Sequence, residues 1–368
     1  LVETPYGTAH FLEHKIFAMP GGDAFSHFSA LGVDANAMTS YNQTSYLFVA
    51  TQNVMSALSF LFEMMDTPYF TNENVDQEKK IIAEELKMYL DDPNVVMQNQ
   101  LVEMMYHVHP LKYDIGGTLE SIMDITPEIL QDVYEKFYNP SNRLITIAGK
   151  VDIKELQAFF KEYDEKHPIK FKKIKTVYPK EPKRLVQKMI VETKDVGIDK
   201  LMLGIKLSPK KTTQRDQVKR EMAVSMLLNI LLGPSSKTYA NLLEDKLINH
   251  SFYINTTFEK NAESIVLFAE SKKVQKLKRV LLNLLTVDAI DLLTPEAFDR
   301  YKKVYLGQFI YALNSLETKA YLYGKYFHLG SSLFDVVDLL KEITYEDVLN
   351  ELSTIHKKYI AVLIHKKA

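Results

Sequence analysis

The chain has 368 residues, 46% of them hydrophobic and 25% charged, with a formal net charge of −2. Such a profile leaves room for two hydrophobic cores and gives no electrostatic footprint for nucleic acid or an anionic membrane. There is no cysteine, which excludes disulfide staples and thiolate metal sites and suits a cytoplasmic location, and no apolar run is long enough to span a bilayer.

The first element in chain order is a helix carrying Gly7-Thr8-Ala9-His10-Phe11-Leu12-Glu13-His14. On a helix His10, Glu13 and His14 leave from one face. Two imidazoles one turn apart can grip a single Zn²⁺, and the carboxylate between them can take a proton from a water that the ion polarises. The spelling H-x-x-E-H is the inverzincin pattern. Two surface histidines on an amphipathic helix are the plainer alternative, in a chain with ten histidines. Because the chain opens on Leu1 rather than Met and this helix follows almost at once, the natural N-terminus is expected to lie outside the chain.

Strands are predicted over 35–39 and 46–50, close enough to form an antiparallel pair. A long helix then runs from Thr71 to Leu90, with Thr71 placed to cap it. Glu78 and Glu85 fall on one face of it, and Ile81, Ile82, Leu86 and Tyr89 give it an apolar side. A carboxylate beside such a side is costly to bury unless paired or metal-bound. Glu85 is therefore assigned as the third ligand, and Glu78 as the group that orients a ligand histidine through its free ring nitrogen. Glu84 points away, toward solvent. Periodicity alone leaves open that this whole face is acidic and solvated.

Met64, Met65, Met104 and Met105 sit in helical apolar stretches and read as core. His107-Val108-His109, just before Pro110, reads as a helix end rather than a metal site. Gly21-Gly22 and Gly116-Gly117 lack the residues of a phosphate-binding loop. A further helix opens at Ile125-Thr126-Pro127-Glu128 and leads to a strand predicted over 144–148.

Residues 166–186, with Pro168, Pro179, Pro182 and many lysines, read as a linker between domains 1–165 and 187–368. Lys170, Lys172, Lys173 and Lys175, and the run from Lys272 to Arg279, read as solvated faces. The second half looks like a repeat of the first, the plainer alternative being two unrelated helical domains with generic amphipathic patterns. Thr294–Leu313 matches Thr71–Leu90, with Lys-Lys at the same offset. Ile343-Thr344-Tyr345-Glu346 matches the helix start at Ile125, and a strand over 360–364 follows as 144–148 does. Met226–Leu232 matches Phe11–Phe17. Strands are also predicted over 251–257 and 264–269. The expected class is α+β: two similar domains, each a mainly antiparallel sheet with helices packed on one face.

Together these residues resemble peptidase family M16, the group of pitrilysin, insulin-degrading enzyme and mitochondrial processing peptidase. The resemblance is carried by the H-x-x-E-H octapeptide, Asn36-Ala37-Met38-Thr39-Ser40, Glu78 through Glu85, and Tyr138-Asn139-Pro140-Ser141-Asn142. Within the family, His10 to Phe17 and Ser332 to Leu340 resemble the single-half bacterial members, the YmfH-like group.

The resemblance implies zinc on His10, His14 and Glu85, Glu13 as general base, and Glu78 behind a ligand. It implies an endopeptidase acting on extended or unfolded peptides in a two-domain chamber, with Asn36, Ala37 and Met38 on an edge strand to which substrate adds. The second half should close over the substrate without metal, since Ser225, Leu228, Asn229 and Gln308 stand where ligands and base would be. In the family this half usually supplies an Arg and a Tyr near the metal. Here the matching segment, Tyr239 to Leu247, has Leu242 or Leu243 at the Arg position. That departure implies either reduced activity of the chain alone or a dimer, with a related subunit lacking the zinc motif as the partner. The rival reading is a non-catalytic or partner-dependent peptide-binding subunit.

Overall fold

The computed structural model describes residues 3–168, 171, 174–210 and 213–368. The chain divides into two compact units, Leu1–Asp92 with Tyr113–Val177, and Pro93–Lys112 with Tyr178–Ala368. Lys170, Lys172 and Lys173 of the predicted linker lie outside the described residues, while Lys175 is exposed.

The first unit contains α1 (Thr8–Ile16), the short hairpin β1 (Ala18–Met19) and β2 (Gly22–Asp23), and α2 (Ala24–Ala30). The hairpin β3 (Asp34–Thr39) and β4 (Thr44–Val49) follows, then α3 (Val54–Asp66) and α4 (Asn72–Leu90). Its core gathers Phe11, Leu12 and Ile16 of α1 with Phe28, Met64, Ile82, Leu86 and Ile122. Ile82 and Leu86 of α4 are buried as predicted; Ile81 and Tyr89 are exposed, and Val75 and Ala83 complete the inward stripe. Thr71 caps α4 with a reciprocal bond to Asn74, which fixes the phase of the helix and hence the direction of its glutamates.

Two helices that belong to the second and first units follow, α5 (Pro93–Met105) and α6 (Pro127–Phe137), the latter capped by Thr126. Residues 144–148 do not form a strand. Their alternation is real, with Ile145 and Ile147 exposed, yet an alternating segment becomes a strand only when another strand takes up its N–H and C=O groups. No strand among the described residues pairs with it. The helix α7 (Ile153–Lys166) packs Leu156 against Leu58 and Phe62 of α3.

The second unit is built on a five-stranded sheet of β5 (Met189–Lys194), β6 (Lys200–Leu207), β7 (Tyr253–Glu259), β8 (Ala262–Glu270) and β9 (Ile360–Lys367). The order is β5-β9-β6-β8-β7, and only β5 pairs in parallel, with β9. The helices α8 (Gln214–Leu232), α9 (Lys237–Glu244), α10 (Val274–Leu284), α11 (Pro295–Ala312), α12 (Leu316–His328), α13 (Val336–Glu342) and α14 (Tyr345–Leu352) complete it. Most of them bury their apolar sides with Leu201, Leu203 and Ile205 on one face of β6. The other face is covered by α5, whose Met97, Leu101, Met104 and Met105 pack on Met202, Val266, Phe268 and Leu363.

The α+β class of two units with sheets and packed helices holds. Residues 93–112, kept with the first half on sequence, group with the second unit, and they leave its sheet covered on both faces. The far end of the predicted linker is also fastened there. Lys206 donates to the carbonyls of Met105 and Pro182 at 2.8 and 2.7 Å and to Glu181 at 2.6 Å.

Candidate metal centre

The site grows from one turn of α1. Phe11, Leu12, Lys15 and Ile16 point inward, so His10, Glu13 and His14 share the half-buried face between core and solvent. Opposite lies α4, and its seven-residue spacing turns Glu78 and Glu85 toward that face. Nε2 of His10 lies 3.8 Å from Oε2 of Glu85, and Nε2 of His14 lies 3.5 Å from the same oxygen. These separations are long for hydrogen bonds. They are close to the roughly 3.3 Å that separates neighbouring ligand atoms bound ~2.0–2.1 Å from one tetrahedral ion. One ligand atom from each of the three residues lies within 4.8 Å of the others, the only such histidine and carboxylate group among the described residues. Two imidazole nitrogens and one carboxylate oxygen are a donor set that suits zinc, so the residues present fit the ion.

Behind His14, Nδ1 lies 3.1 Å from Oε1 of Glu78. The other Glu78 oxygen is 3.4 Å from Nζ of Lys15, which also donates to the Asn74 carbonyl at 3.2 Å. Burial works against the charge of His14, but Glu78 and the neighbouring carboxylates outweigh it and hold its pKa above the ordinary value. For Glu78 burial is likewise opposed by His14 and Lys15, and its pKa falls below the usual carboxylate range. His10 is shifted down, first by burial and then by His14; its Nδ1 is buried without a hydrogen-bond partner.

Glu13 receives a hydrogen bond from the Thr39 hydroxyl at the end of β3. The β3–β4 register pairs Thr39 with Thr44, and their hydroxyls lie 3.4 Å apart. β3 has β4 as its sole partner among the described strands, and no described strand pairs with its other side. Asn36 and Met38 are exposed and Ala37 half-buried, and the Ala37 N–H donates to its neighbour's Asn36 Oδ1 at 2.8 Å rather than to a strand. Glu84 faces solvent as predicted, bonded by Lys87 at 2.7 Å.

Gly116 and Gly117 have a role that their lack of a phosphate-loop signature did not suggest. A Cβ on Gly7 would lie 2.4 Å from the Gly116 carbonyl oxygen, and one on Gly117 would lie 2.4 Å from that of Tyr6. The loop therefore lies against the start of α1, beside His10. Of the H-x-H pair, His109 gives both ring nitrogens to backbone, at 3.1 Å to the Lys260 carbonyl and 3.2 Å from the Leu111 N–H. At the repeat positions Leu228 is core, and Asn229 bonds the Ser225 carbonyl at 2.9 Å. Leu242 is buried.

The family model of Insulinase (Peptidase family M16) matches residues 1–119, and that of the Peptidase M16 inactive domain matches residues 124–305. The chain belongs to peptidase family M16. It is 37% identical over 351 residues to a Bacillus subtilis protein named as the uncharacterized zinc protease YmfH, covering 95% of this chain and 82% of that one. A second B. subtilis protein, the uncharacterized zinc protease YmxG, is 25% identical over 96% of this chain and 84% of its own. The crystal structure of an M16-like peptidase from Alicyclobacillus acidocaldarius superposes with a TM-score of 0.93 at 28% identity, over 100% of this chain and 88% of that one. A Helicobacter pylori protease at 21% identity shares the fold, with a TM-score of 0.85 and coverage of 100% and 91%.

Proposed function

We propose that this M16 chain is a zinc-dependent endopeptidase for extended or unfolded peptides. His10, His14 and Glu85 hold the ion, Glu13 is the general base, and Glu78 orients His14. The observation that carries this reading is the convergence of both histidine Nε2 atoms on one Glu85 oxygen, on the helix face that also carries Glu13.

Zinc bound there would bring the pKa of a water toward neutrality and polarise the scissile carbonyl. Glu13 accepts the proton of the attacking water and delivers it to the leaving amine. Thr39 occupies one Glu13 oxygen, which leaves the other for that transfer. The open side of β3 at Asn36, Ala37 and Met38 holds the substrate main chain, which selects extended peptides with little regard for sequence.

The pair of substrate-facing residues expected from the second half is not completed at Leu242, whose side chain is buried. A dimer, with a related subunit that lacks the zinc motif, would supply it. A single chain that is monomeric and fully active alone rules this out.

Metal analysis combined with cleavage of quenched peptides, with and without chelator, tests the enzyme reading. Zinc-dependent cleavage is expected, and Glu13→Gln should keep zinc while turnover falls by at least roughly 10²-fold. Zinc binding with no cleavage of any unfolded peptide would instead favour a non-catalytic subunit.

A further inference from the structure

One charged group beside the site has no part in the chemistry above. Lys15 directly follows the motif, and its side chain is only 3% exposed. An ammonium group is rarely buried so completely without a specific partner. Its recorded partners are the Glu78 carboxylate and the Asn74 carbonyl. The repeat shows what this position holds when no metal site is present: Ile230 stands at the Lys15 position and Tyr301 at that of Glu78. Both are buried. At these aligned positions the cation and the carboxylate are absent together.

We propose that Lys15 sets the charge of the His10–His14–Glu85 site. Its ammonium offsets the Glu78 carboxylate behind His14, so the site holds a divalent cation less tightly, and exchanges it faster, than the same ligands backed by Glu78 alone.

The proposal rests on reading these three residues as a metal site. Its sign follows from two effects. Removing Lys15 leaves the Glu78–His14 bond in place, so the orientation of His14 is largely kept. The repulsion between the ammonium and a dication a few ångströms beyond His14 is removed outright, in a partly buried setting where screening is weak. Glu78 then acts on the ion with its full charge.

The test is zinc affinity by competition with a chromophoric chelator, together with the release rate, for the parent, Lys15→Met and Lys15→Gln. Each replacement is neutral and of similar length, and Gln keeps a donor for Glu78. Melting of the chelator-treated proteins reports on folding. Both variants are expected to bind zinc about tenfold more tightly than the parent and to release it more slowly, a change at the lower end of those produced by groups behind metal ligands. Zinc affinity at or below that of the parent in either folded variant overturns the proposal. A parent chain that binds neither zinc nor cobalt overturns the metal reading itself, and this proposal with it.

Discussion

The Thr39 hydroxyl donates to the Glu13 carboxylate, tying the last residue of β3 to the polar face of α1. One bond thus fixes the proposed base relative to the edge that would hold the substrate. Thr39→Val deletes the donor at nearly constant volume. We expect kcat to fall about tenfold, with KM and bound zinc little changed, because the lost contact touches the base and neither the ligands nor the peptide edge. Thr39→Ser, which keeps the hydroxyl, should retain most of the activity. Equal kcat for Thr39→Val and the parent would show that the bond does not govern Glu13.

Removal of a ligand should separate metal binding from folding. With Glu85→Gln or His10→Ala, zinc per chain should fall to background. In the parent, zinc at 100 times its Kd should add about 2.7 kcal/mol of stability, worth roughly 5–10 °C in Tm. Neither variant should show that rise. A Glu85→Gln protein stabilised by zinc as strongly as the parent would place the third ligand elsewhere.

Sequence reading succeeded where the signal lay within one helix. The spacing of His10, Glu13 and His14, and of Glu78 and Glu85, already states which side chains share a face, and Thr71 and Thr126 mark helix starts by their own chemistry. It failed where the partner is distant in sequence. Residues 144–148 alternate as a strand does, but pairing is decided by a neighbour that alternation cannot name. Met104 and Met105 read as core of a helix, yet the sheet that α5 covers begins more than 80 residues later. Thr39 and Lys15 were invisible as parts of the site for the same reason: a hydroxyl and an ammonium acquire meaning only once Glu13 and Glu78 face them.

Gly117 offers a test of how tightly the loop beside His10 is held. Its φ is +82°, and an added Cβ would meet the Tyr6 carbonyl oxygen at 2.4 Å and the Gly7 Cα at 2.9 Å. Gly7 is itself at φ +89°, so neither backbone can yield by a simple rotation. Gly117→Ala should cost about 2–4 kcal/mol through strain and displacement of the loop. Thermal melting and zinc affinity should both drop. An unchanged Tm would mean that the loop can move away from α1 without cost.

The acid sensitivity of the second unit should depend on Glu181. Burial alone would raise its pKa. The N–H groups of His107 and Val108 and the Lys206 ammonium outweigh burial and hold it at about 2. The His109 N–H adds a third backbone donor at 2.9 Å. A carboxylate with a folded pKa below its unfolded value binds fewer protons when folded. Its stabilisation is therefore complete above the unfolded pKa of about 4.5 and is lost as pH falls toward 2. The side chain is only 5% exposed, so the shift corresponds to on the order of 3 kcal/mol. Urea unfolding of the parent should show stability falling steeply between about pH 4.5 and 2. Glu181→Gln removes the titrating group and leaves Lys206 buried without its counter-ion, so it should be less stable at pH 7 by about 3 kcal/mol. Its stability should also decline less across the acid range, because the contribution lost there by the parent is already gone. A Glu181→Gln variant with the parent's acid slope would show that this carboxylate is not the group whose protonation loosens residues 107–109 and 181–184 from β6.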